Sequence, residues 1–315
     1  MLDNDELNSR ANTAWEIYRA CEICPRKCGV DRISGETGDC GQTAELKIAA
    51  AVPHFGEEPP LVGNKGVGNI FLTGCNLSCV YCQNYQASQE NIGEIVSFDW
   101  LAGKMLEFQT NGLESVGWVT PSHTTPGLMK SLSIAMKKGF QLPLIYNTNS
   151  YDRLDTLRLL DGVVDIYLAD MRYSDDENAL RYSDADDYVE ISRMAVEEML
   201  RQVGPFCLDD NRKTGIIIRL LVLPENIAGL WETLCFIALE LSPEIPISLM
   251  SQYQPVHRAN EFPELNRCIT QAEYAEALKM AKDLGFGTIF TQDLNEKRHL
   301  LPDFTQADKP FQNGI

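Results

Sequence analysis

The chain has 315 residues, 44% of them hydrophobic and 23% charged, a globular composition that excludes a disordered chain. Acidic residues outnumber basic ones 45 to 27, for a formal charge of −18. That balance argues against nucleic acid and anionic membrane as partners, since both select for clustered Lys and Arg. At this length the chain holds one large α/β domain with a small appendage, or two ordinary domains. The opening, MLDNDELNSRANTAWEIYRA, is acidic and amphipathic; it predicts a helix rather than the basic and apolar regions of a signal peptide. No run of about eighteen apolar residues occurs, so no membrane span is expected and a cytoplasmic location is predicted. In a reducing compartment ten cysteines point to metal or redox chemistry rather than disulfides. Seven of the ten lie between Cys21 and Cys82, which puts that chemistry early in the chain.

The first group is CEICPRKCGVDRISGETGDC, with Cys21, Cys24, Cys28 and Cys40 spaced C-x2-C-x3-C-x11-C. Interrupted by Pro and several Gly, this segment has too little core to fold on hydrophobicity alone, and a bound metal would supply the missing stability. Zinc in a four-thiolate site and an iron–sulfur cluster both suit the donor set, and a disulfide framework is the remaining alternative. HFGEEPP (54–60) follows; His54, Glu57 and Glu58 are read as a solvated turn, with a place at a barrel mouth or a role in proton transfer as the alternative. GNKGVG (63–68) is glycine-rich but precedes a strand instead of following one, so it is read as a turn and not a nucleotide loop.

From there, short apolar runs alternate with helix-like stretches. The predicted strands are NIFLT (69–73), SVGWV (115–119), LPLIYNTN (142–149), VVDIYLAD (163–170), GIIIRLLVLP (215–224), IPISLMSQ (245–252) and FGTIFTQ (286–292). Continuous apolar runs suit strands covered on both faces. The helical stretches between them often end in Gly, as a helix C-cap prefers. Repeated βα units imply parallel strands joined by right-handed crossovers, hence a barrel, a partial barrel or an open sheet. The polar residues follow the strands, the end where barrels build their sites.

The motif at the first strand's end is GCNLSCVYCQNYQ, which spaces Cys75, Cys79 and Cys82 as C-x3-C-x2-C. Three thiolates hold three irons of a [4Fe–4S] cube and leave the fourth open to a small molecule. Zinc with a distant fourth ligand, such as His123, is the alternative. The motif, its position and Tyr81 before the last cysteine together resemble the radical S-adenosylmethionine (SAM) superfamily over roughly residues 65–295. The resemblance implies an α/β fold built as a partial (β/α)6-type TIM barrel with a small N-terminal Cys-rich metal-binding segment. It divides the chain into 1–60, 61–295 and a tail, 296–315. It also implies a [4Fe–4S] cluster on Cys75, Cys79 and Cys82, with SAM on the open iron. Reductive cleavage of SAM would then yield a 5′-deoxyadenosyl radical for hydrogen abstraction.

CVYCQNY resembles the CxYCHN segment of pyruvate formate-lyase activating enzymes, with Gln83 in place of His and Asn84 matching. The CEICPRKC segment resembles the CxxCPRxC unit of one branch of such proteins. TPSH (120–123) stands where the superfamily carries a glycine–acid motif for the SAM amino group, leaving Thr120, Ser122 and His123 as candidates. DMR (170–172) resembles an Asp-x-Lys motif that contacts SAM, so Asp170 and Arg172 are further candidates; Arg keeps the charge of Lys but not its geometry. Asn147 and Asn149 at the third strand's end and Arg219 in the fifth complete the polar set. Gln252, Tyr253 and His257, after the sixth strand, are candidates for the substrate side. Cys235 reads as an ordinary buried thiol in an apolar helix, while Cys207 and Cys268 stand apart. The implied partners are an electron donor such as flavodoxin or ferredoxin and a glycyl radical protein whose backbone glycine is the substrate. A small molecule or peptide substrate is the second reading, with the N-terminal cysteines as an auxiliary cluster. A non-catalytic zinc-binding interaction protein is the third.

Overall fold

A computed structural model describes residues 2–207, 213–294 and 301–311. The first helix, α1 (Asn4–Glu16), is capped by Asp3, and its buried stripe of Leu7, Ala11 and Ala14 faces the barrel. A cysteine-rich knuckle follows. Strand β1 (Leu46–His54) then leads through the one-turn helix α2 (Pro59–Val62) to β2 (Val67–Leu72). The next elements are a one-turn helix, α3 (Tyr85–Ser88), the short strand β3 (Glu94–Val96) and α4 (Phe98–Thr110). Strictly alternating units come next: β4 (Ser115–Val119), α5 (Thr125–Lys137), β5 (Leu144–Thr148), α6 (Leu154–Leu159) and β6 (Ile166–Asp170). After the helix pair α7 (Asp176–Ser183) and α8 (Tyr188–Val203) come β7 (Gly215–Leu221), α9 (Leu230–Phe236), β8 (Ile247–Met250), α10 (Gln271–Asp283) and β9 (Ile289–Thr291).

All nine strands form one sheet in the order β3-β1-β2-β4-β5-β6-β7-β8-β9. From β2 onward every neighbouring pair is parallel, whereas β1 pairs antiparallel with both β2 and β3. The sheet curls into a partial barrel. All seven predicted strands are present. β1 and β3 escaped prediction, because they lie before and beside the cysteine motif rather than in the βα alternation.

Side chains alternate across each strand, so a strand buried on both faces serves two layers. Outward residues such as Ile70, Trp118, Tyr146, Tyr167, Ile218 and Leu249 pack beneath the helices in the main core. Inward residues Val67, Ile145, Ile166, Leu168 and Ile217 form a separate apolar floor inside the barrel. One step further along, the inward positions turn polar: Asn69 in β2, Asn147 in β5, Arg219 in β7 and Ser248 in β8. The connection from β1 to β2 folds into the barrel at this level. Its Leu61, fully buried, joins the apolar floor.

Candidate active site

The cysteine loop begins where β2 ends. Thr73 anchors it by donating to the carbonyl of Ile92 at 2.9 Å. Gly74 turns it, at φ 84°, against the knuckle: a Cβ there would stand 2.6 Å from the carbonyl oxygen of Cys40. Only glycine combines that conformation with that approach. The two cysteine groups are therefore in direct backbone contact at this point, and Arg26 of the knuckle adds a 2.8 Å hydrogen bond to the Asn76 carbonyl.

Each sulfur of the loop has a hydrogen-bonding neighbour. Cys75 Sγ accepts from the Leu77 amide at 3.4 Å and from Asn149 Nδ2 at 3.6 Å. Cys79 Sγ accepts from Ser183 at 3.0 Å, and Cys82 Sγ lies 3.3 Å from the Ser88 hydroxyl. Ser183 ends a hydroxyl chain that runs to Tyr173 (2.8 Å) and on to Tyr81 (2.6 Å). Burial, reinforced by Cys79, pushes the Cys75 thiol up to about 12, and the same two causes push Cys82 up to about 11. These thiols would stay protonated at neutral pH unless a metal cation drew off their protons. One buried thiol, Cys79, and two half-buried ones, Cys75 and Cys82, with hydrogen-bond donors ready for the deprotonated state suit an iron–sulfur cluster with one iron free of protein ligands.

Cys82 opens onto a cavity of about 150 Å³ at the C-terminal ends of the strands. The cavity brings together Tyr81, Asn84, Thr120, Asn147, Asp170, Arg172 and Arg219 from the predicted set, with Gln83, Asn149 and Gln252 beside them. Asp170 and Arg172 pair at 2.7 Å, leaving Arg172 Nε buried and without a partner. Asp170 stands opposite Arg219 in the β6–β7 register, so the two strand ends present charge side by side. Gln252 is held between Gln83 (3.1 Å) and Gln292 (2.9 Å). Thr120 sits at φ 58° on the rim, a conformation that a β-branched residue rarely adopts.

Ser122 and His123 are not in the cavity. Ser122 is buried 3.4 Å from the Thr148 hydroxyl, while His123 is fully buried with Nε2 on the Thr73 carbonyl at 2.8 Å. The His123 carbonyl accepts from Arg32 (2.6 Å) and Tyr18 (2.9 Å), both of the N-terminal segment. TPSH thus turns away from the lumen after Thr120, and its last two residues join the knuckle to the barrel. Tyr253 and His257 also lie outside: Tyr253 donates to the Leu265 carbonyl, and His257 stacks on Tyr85.

The larger correction concerns HFGEEPP. The side chains of Glu57 and Glu58 are 5% and 4% exposed and grip Arg219 from two sides, at 3.3 Å to NH1 and 3.2 Å to Nε. Glu57 also accepts from Asn69 at 2.7 Å and Asn147 at 3.5 Å. Burial alone would push the Glu57 carboxyl up, but Arg219, with His54 and the two amides, holds it below the ordinary range. Burial wins at Glu58, helped by the Glu57 charge against Arg219, and its carboxyl is pushed up. The available signal was the inward polar layer itself, because an arginine inside a barrel strand requires a buried acid.

In the knuckle, Cys21, Cys24 and Cys40 are buried and Cys28 half-buried. Burial pushes the Cys24 thiol up, with Cys40, Cys21 and Cys28 adding to it. Arg32 spans the group, reaching the Thr43 carbonyl at 2.6 Å and lying 4.0 Å over the Tyr18 ring. Among the described residues no three His, Cys, Asp or Glu side chains close to the spacing of a single ion, and all ten cysteines are free thiols. Cys207 and Cys268 are exposed and Cys235 is half-buried.

No family model matches this sequence. The chain is 28% identical over 291 residues to the uncharacterized protein MJ0674 of Methanocaldococcus jannaschii, spanning 90% of this chain and 80% of that one. Among solved structures, the FeFe-hydrogenase maturase HydG from Carboxydothermus hydrogenoformans is similar with a TM-score of 0.50 at 10% identity, over 98% of this chain and 76% of that one. The likeness is one of fold. SuiB of Streptococcus suis, solved with its precursor peptide SuiA, gives a TM-score of 0.48 at 10% identity over 70% of this chain. This chain spans 46% of the length of SuiB.

Proposed function

We propose that this protein is a radical SAM enzyme whose Cys75, Cys79 and Cys82 hold a [4Fe–4S] cluster beside the barrel cavity. One observation carries the reading: a C-x3-C-x2-C loop at the end of β2, each sulfur with its hydrogen-bonding neighbour, opens through Cys82 onto a cavity lined by polar strand ends. When bound, cluster and SAM supply one-electron cleavage of the sulfonium and a 5′-deoxyadenosyl radical for hydrogen abstraction. The chain's own share is to position and to exclude water. Asn147, Asp170 and Arg172 offer amide, carboxylate and guanidinium groups to a zwitterionic ligand, and Arg172 Nε has a donor to spare. Phe71 and Phe311 pack together in the cavity wall, an apolar surface that helps keep water from a reactive species.

In the knuckle, Cys21, Cys24, Cys28 and Cys40 hold zinc or a second iron–sulfur cluster. Its contact with Gly74 and Asn76 supports a role in bracing the loop or relaying an electron from a flavodoxin or ferredoxin. The CVYCQNY segment supports a backbone glycine of a partner protein as substrate. The buried carboxylates in the cavity favour the other reading, a small molecule or a peptide side chain, because a backbone glycine has no group to answer them.

Anaerobic purification followed by iron, sulfide and zinc analysis tests the assignment. About four irons per chain indicate one cluster and about eight indicate two. Reduction in the presence of SAM should release 5′-deoxyadenosine, and Cys79→Ala should abolish the release. Zinc without iron, or turnover unchanged in Cys79→Ala, would overturn the reading.

A further inference from the structure

We propose that Ser183, oriented by Tyr173 and Tyr81, tunes the reduction potential of the cluster through its hydrogen bond to Cys79 Sγ. Such a role rests on the cluster assignment made above, which it deepens.

The last turn of α7 clamps the cysteine loop on both sides of Cys79. The Ser78 amide donates to the Ser183 carbonyl at 3.1 Å, and the Val80 amide donates to the Tyr182 carbonyl at 2.9 Å. Carbonyls in a helix's last turn lack intrahelical partners, and here the loop amides satisfy them. The clamp holds the Ser183 hydroxyl 3.0 Å from Cys79 Sγ, with the two residues at 0% and 5% exposure. Burial keeps bulk water from taking the hydroxyl's place.

A serine or tyrosine hydroxyl has one hydrogen to donate. A metal-bound cysteine sulfur has given up its proton and only accepts, so Ser183 commits its hydrogen to Cys79. Ser183 is then an acceptor for Tyr173, 2.8 Å away, and Tyr173 in turn is an acceptor for Tyr81 at 2.6 Å. The three hydroxyls therefore point one way, from the cavity wall that Tyr81 lines to the sulfur of Cys79. Aligned in this way, each bond polarises the next. Edge-on contacts with Tyr253 and Tyr188 fix the rings of Tyr81 and Tyr173, with centroids 5.7 Å apart in each case. A serine at a helix end has a competing acceptor in the carbonyl four residues back, here that of Ala179. The bond from Tyr173 holds the Ser183 oxygen toward Cys79 instead.

Reduction adds one electron, and its negative charge spreads onto the cysteine sulfurs. Hydrogen-bond donors at those sulfurs favour the reduced form and raise the potential. No proton moves, because each hydrogen stays on its own oxygen.

The test uses the full chain, purified anaerobically and analysed for metal and sulfide. It is titrated with dithionite in the presence of redox mediators and followed by electron paramagnetic resonance. Where two clusters are present, the signal that changes on adding SAM is the one followed. Ser183→Ala removes one buried oxygen and should make reduction roughly three- to tenfold less favourable, a fall of about 30–60 mV for one electron. Tyr173→Phe touches no sulfur, yet it should lower the potential by a smaller amount. The double variant should fall no lower than Ser183→Ala alone, since Tyr173 acts through Ser183. Should Ser183→Ala fail to fold or to take up iron, the potential of Tyr173→Phe decides by itself. An unmoved potential in either variant, or additive shifts in the double variant, would overturn the proposal while iron content and SAM cleavage stand. Zinc without iron in the wild type overturns the cluster assignment and this role together.

Discussion

His123 illustrates how a polar residue beside a presumed site can serve the scaffold instead. Burial, with the Arg32 charge adding to it, pushes its imidazole down to about 4. The unfolded chain takes a proton near pH 6.5, which the folded chain refuses until near pH 4. The stabilisation is therefore complete above pH 6.5 and lost as pH falls through that window, by about 3 kcal/mol at most. Urea unfolding of wild type and His123→Gln between pH 4 and 7 should show a steeper acid limb in the wild type. Parallel limbs would mean that His123 carries no such load. At Arg219 the expected sign differs. Arg219→Met leaves Glu57 and Glu58 buried together without a guanidinium, and the cost should be on the order of 3–5 kcal/mol by urea unfolding.

Among the elements, the β1–β2 connection matters most to the cavity. Local pattern pointed to a turn there, and a turn it is. Its two glutamates nonetheless point inward, because Asn69, Asn147, Arg219 and Ser248 occupy matching inward positions of four strands. The run from Leu301 to Phe311 is the second such element. It reads as a tail in sequence, since it has no periodicity, yet Phe304 is 2% exposed and packs 5.4 Å from Phe71. Phe304→Ala should cost about 3 kcal/mol through the cavity it leaves. A change below about 0.5 kcal/mol in urea unfolding would show that this segment does not belong to the fold.

At the scale of the whole molecule, the knuckle and the barrel are joined at several points, among them Arg32 and Tyr18 on the His123 carbonyl, Arg26 on Asn76, Thr156 on the Ile23 carbonyl, and Gly74 against Cys40. Cys24→Ser should therefore remove the metal of the first group, one zinc or about four irons, and lower the melting temperature while about four irons remain on the second group. Loss of all metal in this variant would mean that the two groups form a single centre.

The order of strands and helices, the two cysteine groups and the strand-end polar residues could be read along the chain, because periodicity and spacing are local properties. The barrel and the placement of Tyr81, Asn84, Thr120, Asn147, Asp170, Arg172 and Arg219 at one cavity are continuous with that reading. What folding alone decided was the antiparallel β1 and β3, the outward turn of Ser122 and His123, and the burial of Glu57 and Glu58 on Arg219. These depend on pairings between segments far apart in the chain. Such contacts leave no local pattern, since a glutamate in a solvated turn and one sealed against an arginine are written with the same letters.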